Sequence, residues 1–138
     1  MRNAGHWEVG AVSREAGLAY SREHQLKGDA LLFDLSEQAT SILAEAGLGS
    51  AARAARTLIK DGPLRLTIVG LKAGGSLRDH KAGGPVSIQL LQGEVEVMVG
   101  GRSQRLTEKQ VLVLGADIVH SVSAHADSVI LLSIAMLP

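Results

Sequence analysis

The chain has 138 residues, with 14 basic and 14 acidic side chains, five histidines and no cysteine, which fits one globular domain. Without cysteine there are no disulfides, no thiolate-bound zinc and no thiol catalysis, and the omission suits a reducing cytoplasm. The balanced charge gives no field to gather phosphates, so nucleic acid is not an expected partner, and no apolar stretch reaches the ~18 residues of a membrane span.

Residues 1–34 read as an arm. The opening "MRNAGHWEVGAVSREAG" carries no apolar run after Arg2, so no signal peptide is expected. His6-Trp7 offers the arm a contact, against the plainer reading of an unordered terminus. "ALLFDL" (30–35) is apolar enough to dock on something. Asp34 followed by Glu37 has the spacing of a capping box. Behind it Leu35, Ala39, Ile42, Leu43 and Ala46 repeat at helical spacing, and Gly47 supplies a stop, which predicts a helix over 35–46. The Ala-rich stretch 48–56 is ambiguous, and the helical segment is drawn as 35–56.

From Thr57 the hydrophobic period changes. "RTLIK" and "LRLTIVGL" flank "DGP", a turn signal. "EVEVMV" alternates, with Val95, Val97 and Val99 on one face and Glu94, Glu96 and Met98 on the other. Gly100-Gly101 reads as a two-residue hairpin turn into "RSQRL". "VLVL" (111–114), "IVHSVSA" (118–124) and "SVILLSIAML" (128–137) complete the series. Short strands at regular spacing predict an all-β barrel or sandwich over 57–138. Trp7, Tyr20 and Phe33 are the only large aromatics, and all precede it, so its core must be Val, Ile, Leu and Ala.

One stretch within it, "LRDHKAGGPVSIQLLQG" (77–93), has the outline of a metal-binding loop with ligands removed. In and just before it, Gly74-Gly75, His80, Ala82, Val86 and Gly93 take the places of a glycine, a His-x-His pair, a glutamate and a closing glycine. Gly115-Ala116-Asp117 stands where Pro-x-Gly is usual, and His120 follows. With the hairpin "LLQGEVEVMVGG", these spacings over residues 57–136 resemble the cupin family, the RmlC-like jelly-roll barrels, and in particular small bacterial cupins with an N-terminal helix. The resemblance implies a double-stranded β-helix, with a degenerate form of the family's three-histidine, one-carboxylate metal site.

His80 and His120 hold two of those four ligand positions, while Ala82 and Val86 cannot bind metal. A divalent transition metal on two imidazoles falls short of the three or four donors such ions usually take. Gln89 is a third polar candidate, although Val86, Ile88 and Leu90 share the face where the missing glutamate would sit; a bulge near Pro85 would reverse that parity. Asp79 and His125 are further donors, both expected in turns. The plainer readings are packed, hydrogen-bonded histidines, a strand amide bonded to backbone or water, and a solvated face for Glu94 and Glu96.

The leading expectation is a small-molecule-binding barrel, non-catalytic or weakly catalytic, with His80, Gln89 and His120 at the ligand. The alternatives are a metal-dependent oxygenase or isomerase with a depleted two-histidine site, and a structural or assembly module. Sheet edges and the apolar 30–35 segment point to a homodimer with the arm at the interface.

Overall fold

The computed structural model describes residues 24–26 and 29–138. Most of the arm, with His6 and Trp7, lies outside the described residues. Among the described residues one helix, α1 (Leu35–Ala46), precedes nine strands: β1 (Arg53–Asp61), β2 (Leu64–Leu71), β3 (Ser76–His80), β4 (Val86–Gln92), β5 (Glu94–Val99), β6 (Arg102–Thr107), β7 (Val111–Leu114), β8 (His120–Ala124) and β9 (Ser128–Ala135). They form two antiparallel sheets, in the orders β1-β2-β9-β4-β7 and β3-β8-β5-β6. Consecutive strands repeatedly fall in opposite sheets, as in a jelly roll.

The two inner faces meet in an aliphatic core. Ile88, Leu90 and Ile130 from one sheet and Val95, Val97 and Val122 from the other have essentially no exposed surface. Each such side chain contributes roughly 1.5–3 kcal/mol of burial. The alternation of "EVEVMV" is realised: Val95 and Val97 are buried, and Met98 is exposed. Glu94 and Glu96 are half-buried on the outer face, paired with Arg105 and with His125. The Gly100-Gly101 hairpin forms as expected, with φ of +56° and +79° and Val99 paired with Arg102.

A second apolar cluster lies between α1 and the outer face of the five-stranded sheet, built from Ala39, Ile42, Leu58, Ile68, Val129 and Leu131. The Asp34 carboxylate accepts from the Glu37 amide at 3.1 Å and starts the helix. Arg56 on β1 fastens the helix from below, donating to Gln38 Oε1 (2.8 Å), Ser41 Oγ (3.1 Å) and Glu45 Oε2 (2.8 Å). The "ALLFDL" segment docks on its own chain. Ala30 is buried, and Phe33 and Leu35 pack against the helix–sheet cluster.

Three boundaries differ from the sequence reading. Helix does not extend to 56: Gly47 caps it, Ala52 takes a left-handed φ of +57°, and Arg53 already pairs with Leu71. The barrel therefore starts at Arg53 rather than Thr57, because pairing with β2 outweighs the helix preference of an Ala-rich run. The strand expected from 118 begins at His120, after a turn with Asp117 at φ +62°.

Candidate functional site

His80 ends β3 and His120 begins β8, and the two are register partners. Their ring centroids are 4.3 Å apart, with planes inclined by 60°. His120 is 2% exposed, flanked across the sheet by His80 and by Val99 of β5. His80 is half-buried. Leu77, Ala82, Val86 and Val99 belong to the adjoining aliphatic core, so the apolar replacements at 82 and 86 are wall.

A bulge brings the pair together. Leu77 pairs with Val122 and His80 with His120, so three steps along β3 match two along β8. Leu77 packs inward. Strict alternation from there would turn Asp79 inward and His80 outward; the extra residue at Arg78-Asp79 reverses this. No bulge near Pro85 reverses the parity of β4, which pairs in regular register from Val86 to Gln89. Val86, Ile88 and Leu90 are buried, and Gln89 is exposed on the opposite face of β4. The structure thus separates Gln89 from the two histidines. Asp79 is exposed and belongs to β3 rather than a turn. His125 does lie in a turn and bonds Glu96 Oε1 at 2.9 Å on the outer face. Among the described residues no group of three or more His, Cys, Asp or Glu side chains is placed to hold a metal ion.

The hydrogen bonds fix the imidazole tautomers. His80 Nδ1 lies 2.8 Å from the Arg78 carbonyl, and His120 Nδ1 lies 3.0 Å from the Ile118 carbonyl. A carbonyl only accepts, so each Nδ1 carries the proton and donates it. Each neutral ring then keeps its lone pair on Nε2. The same two-residue backward bond recurs in both rings, from β3 and from the turn before β8. The Asp117 amide donates to the Ala82 carbonyl at 3.1 Å and ties together the loops that carry the two motifs. Sequence spacing located both histidines; the bulge and the tautomers have no signature in residue identity.

Elsewhere, an open groove of about 510 Å³ runs along β3 and β8, lined by Ser76, Arg78, Asp79, Ser121 and Ser123 among others. A smaller depression of about 240 Å³, almost wholly apolar, lies between Leu64, Pro85, Val113 and Ile134.

No family model and no curated protein matches the chain. Solved structures do. A conserved protein of unknown function from Streptococcus pyogenes superposes with a TM-score of 0.60 at 24% identity, over 65% of this chain and 79% of that one. A cupin superfamily protein from Desulfitobacterium hafniense gives 0.61 at 16% identity, over 83% and 97%. The salicylate 1,2-dioxygenase from Pseudaminobacter salicylatoxidans gives 0.65 at 17% identity, over 72% of this chain and only 33% of the enzyme. The fold is that of the cupin jelly-roll barrels, as the motif spacing implied.

Proposed function

We propose that the barrel binds a small organic molecule at the end where His80 and His120 meet, with little or no catalysis of its own. The tautomer pair carries this reading: two imidazole rings 4.3 Å apart, each with Nδ1 engaged by a carbonyl and Nε2 left as acceptor, adjoin the aliphatic core. Such a place suits a ligand that presents a hydroxyl or N–H donor to the imidazoles and apolar surface to Val86 and Ala82. Gln89, exposed on the far face of β4, is left out of this reading. A neutral charge balance, a cytoplasmic setting argued from the lack of cysteine, and a homodimer covering the sheet edges belong to the same reading.

A specific observation keeps a metal-dependent enzyme as the second reading. An Nδ1–H bonded to a backbone carbonyl, with Nε2 left open, is how metal-binding histidines are commonly held. One structural neighbour is a salicylate 1,2-dioxygenase. The donor set argues the other way, since two imidazoles do not make a three-donor site. The residues present do not fit the family's resident metal, and no reaction step is derived through one.

The experiment joins elemental analysis of protein purified without an affinity tag to a thermal-shift screen of neutral phenols and alcohols. The expected outcome is metal far below one equivalent, with a stabilising phenol or alcohol whose effect disappears in His80→Ala and His120→Gln. Near-stoichiometric iron, manganese or zinc, lost in His80→Ala, would overturn the organic-ligand reading in favour of the enzyme.

A further inference from the structure

Helix α1 covers only part of the sheet it packs on. Its cluster draws on Leu58 of β1, Ile68 of β2, and Val129 and Leu131 of β9. The outer face of that sheet continues past the helix, across β4 and β7. Ser87 pairs with Val113 on one side and with Ser133 on the other, so these three share the outer face, opposite buried Val86 and Ile88. Val113 is 66% exposed and Leu64 45%. With Pro85, Ile134 and Ala135 they line the apolar depression of about 240 Å³. No charged side chain lines it, and its only hydroxyls are those of Ser87 and Ser133. It is smaller than the roughly 300–1,000 Å³ of small-molecule pockets and suits one large side chain.

The N-terminal arm joins the barrel at the same end of this sheet. The His24 carbonyl accepts from the Lys60 amide at 2.7 Å, on the outer edge of β1. Lys60 pairs with Arg65, and the adjacent Leu64 pairs with Ala135 in the depression. From β1 to β7 the sheet spans four strand spacings, about 20 Å. Trp7 stands 17 positions before His24, a reach of roughly 55 Å if extended and about 25 Å if helical. The 23 residues before His24 carry three arginines and three glutamates, and so no net side-chain charge.

We propose that the arm crosses the outer face of its own five-stranded sheet and seats Trp7 in this depression. An indole matches it chemically. It brings a large apolar body and a single N–H donor, for which the Ser87 and Ser133 hydroxyls are the acceptors at hand. A tethered segment is present at an effective concentration on the order of millimolar, which favours its own chain over a second copy. The inference is independent of the ligand reading, and it places the arm on its own barrel instead of at a subunit interface.

Fluorescence of the full chain tests it, because Trp7 is the sole tryptophan. In the folded wild type its emission should be blue-shifted from that of the urea-unfolded chain and shielded from acrylamide, with no dependence on protein concentration. Val113→Glu and Leu64→Lys, both at exposed positions, should keep the wild-type circular dichroism, shift the emission to the red and raise acrylamide quenching severalfold. Met98→Glu, exposed on the other sheet, should leave the emission unchanged. Wild-type emission equal to that of the unfolded chain overturns the docking. A blue shift that neither Val113→Glu nor Leu64→Lys removes, or that Met98→Glu removes as well, overturns this seat. A blue shift lost on dilution, in step with dissociation of a dimer in sedimentation, overturns the own-chain arrangement and gives the arm to a second copy.

Discussion

At the scale of single residues, backbone geometry decides which side chains are replaceable. Gly93 has φ +94°, and a Cβ there would lie 2.3 Å from Ser128 Oγ and 2.4 Å from the Asp127 carbonyl. Ser128 cannot give way, since it is fully buried and its hydroxyl accepts from the Glu94 amide at 3.0 Å. Gly93→Ala should therefore lose more than about 3 kcal/mol in urea unfolding, combining a strained φ with overpacking. The histidines behave differently. Nickel or copper added to the protein should bind weakly, with water completing the shell, as read by calorimetric titration. Both histidines and Gly93 were legible as motif positions. The direction in which His80 points was not, since an extra residue in a strand leaves no mark in hydrophobic alternation when the residues concerned, Arg78 and Asp79, are both charged.

Elements were legible in proportion to their local signals. The helix at 35–46 was set by an Asp cap, a 3.6-residue apolar stripe and a glycine stop, all local, and it forms with those bounds. Asp34→Ala should cost about 1 kcal/mol, read as a lower urea midpoint with an unchanged slope. The start of β1 was illegible because Ala51 to Ala55 favour helix locally, and only pairing with β2, a non-local contact, makes them extended. Helix and sheet meet closely at Gly70, where a Cβ would stand 2.8 Å from the Ile42 carbonyl oxygen and 3.1 Å from its Cγ2. Gly70→Ala should push α1 off the sheet and destabilise by about 1–3 kcal/mol. Thermal unfolding of the two variants should show the larger loss for Gly70→Ala.

Across the whole molecule, one ion pair links ends that lie far apart in sequence. Asp127, in the turn before β9, accepts from Lys72 Nζ at 2.7 Å and from the Ala73 amide at 2.9 Å, which holds the β2–β3 loop against the β8–β9 turn. The hydrogen bond from Lys72, followed by that from Ala73, keeps its carboxyl below the ordinary carboxylate value. Because the folded state favours the ionised form, this contribution is fully present above the ordinary value of about 4 and is lost as pH falls through the lower folded one. Asp127→Asn should therefore be less stable than wild type at neutral pH. The gap in melting temperature should close in strong acid, where the wild-type carboxyl is protonated too. The barrel itself was legible because strand spacing and turn residues agree along 57–138, and the core is aliphatic, as the scarcity of aromatics required. How the edges are distributed was not legible, because strand order depends on which segments cross between sheets.

The bulge in β3 gives this barrel a hinge between sequence and chemistry that involves neither histidine. Regular pairing of β3 at its present length, without the bulge at Arg78-Asp79, would leave every core side chain from Leu77 backward in place while rotating His80 by half a turn toward solvent. His120 would then stand alone against the apolar wall. A lineage carrying this fold can thus open or close the site through the presence or loss of one bulge, and a sequence comparison that scores only residue identity would see both histidines retained in each state.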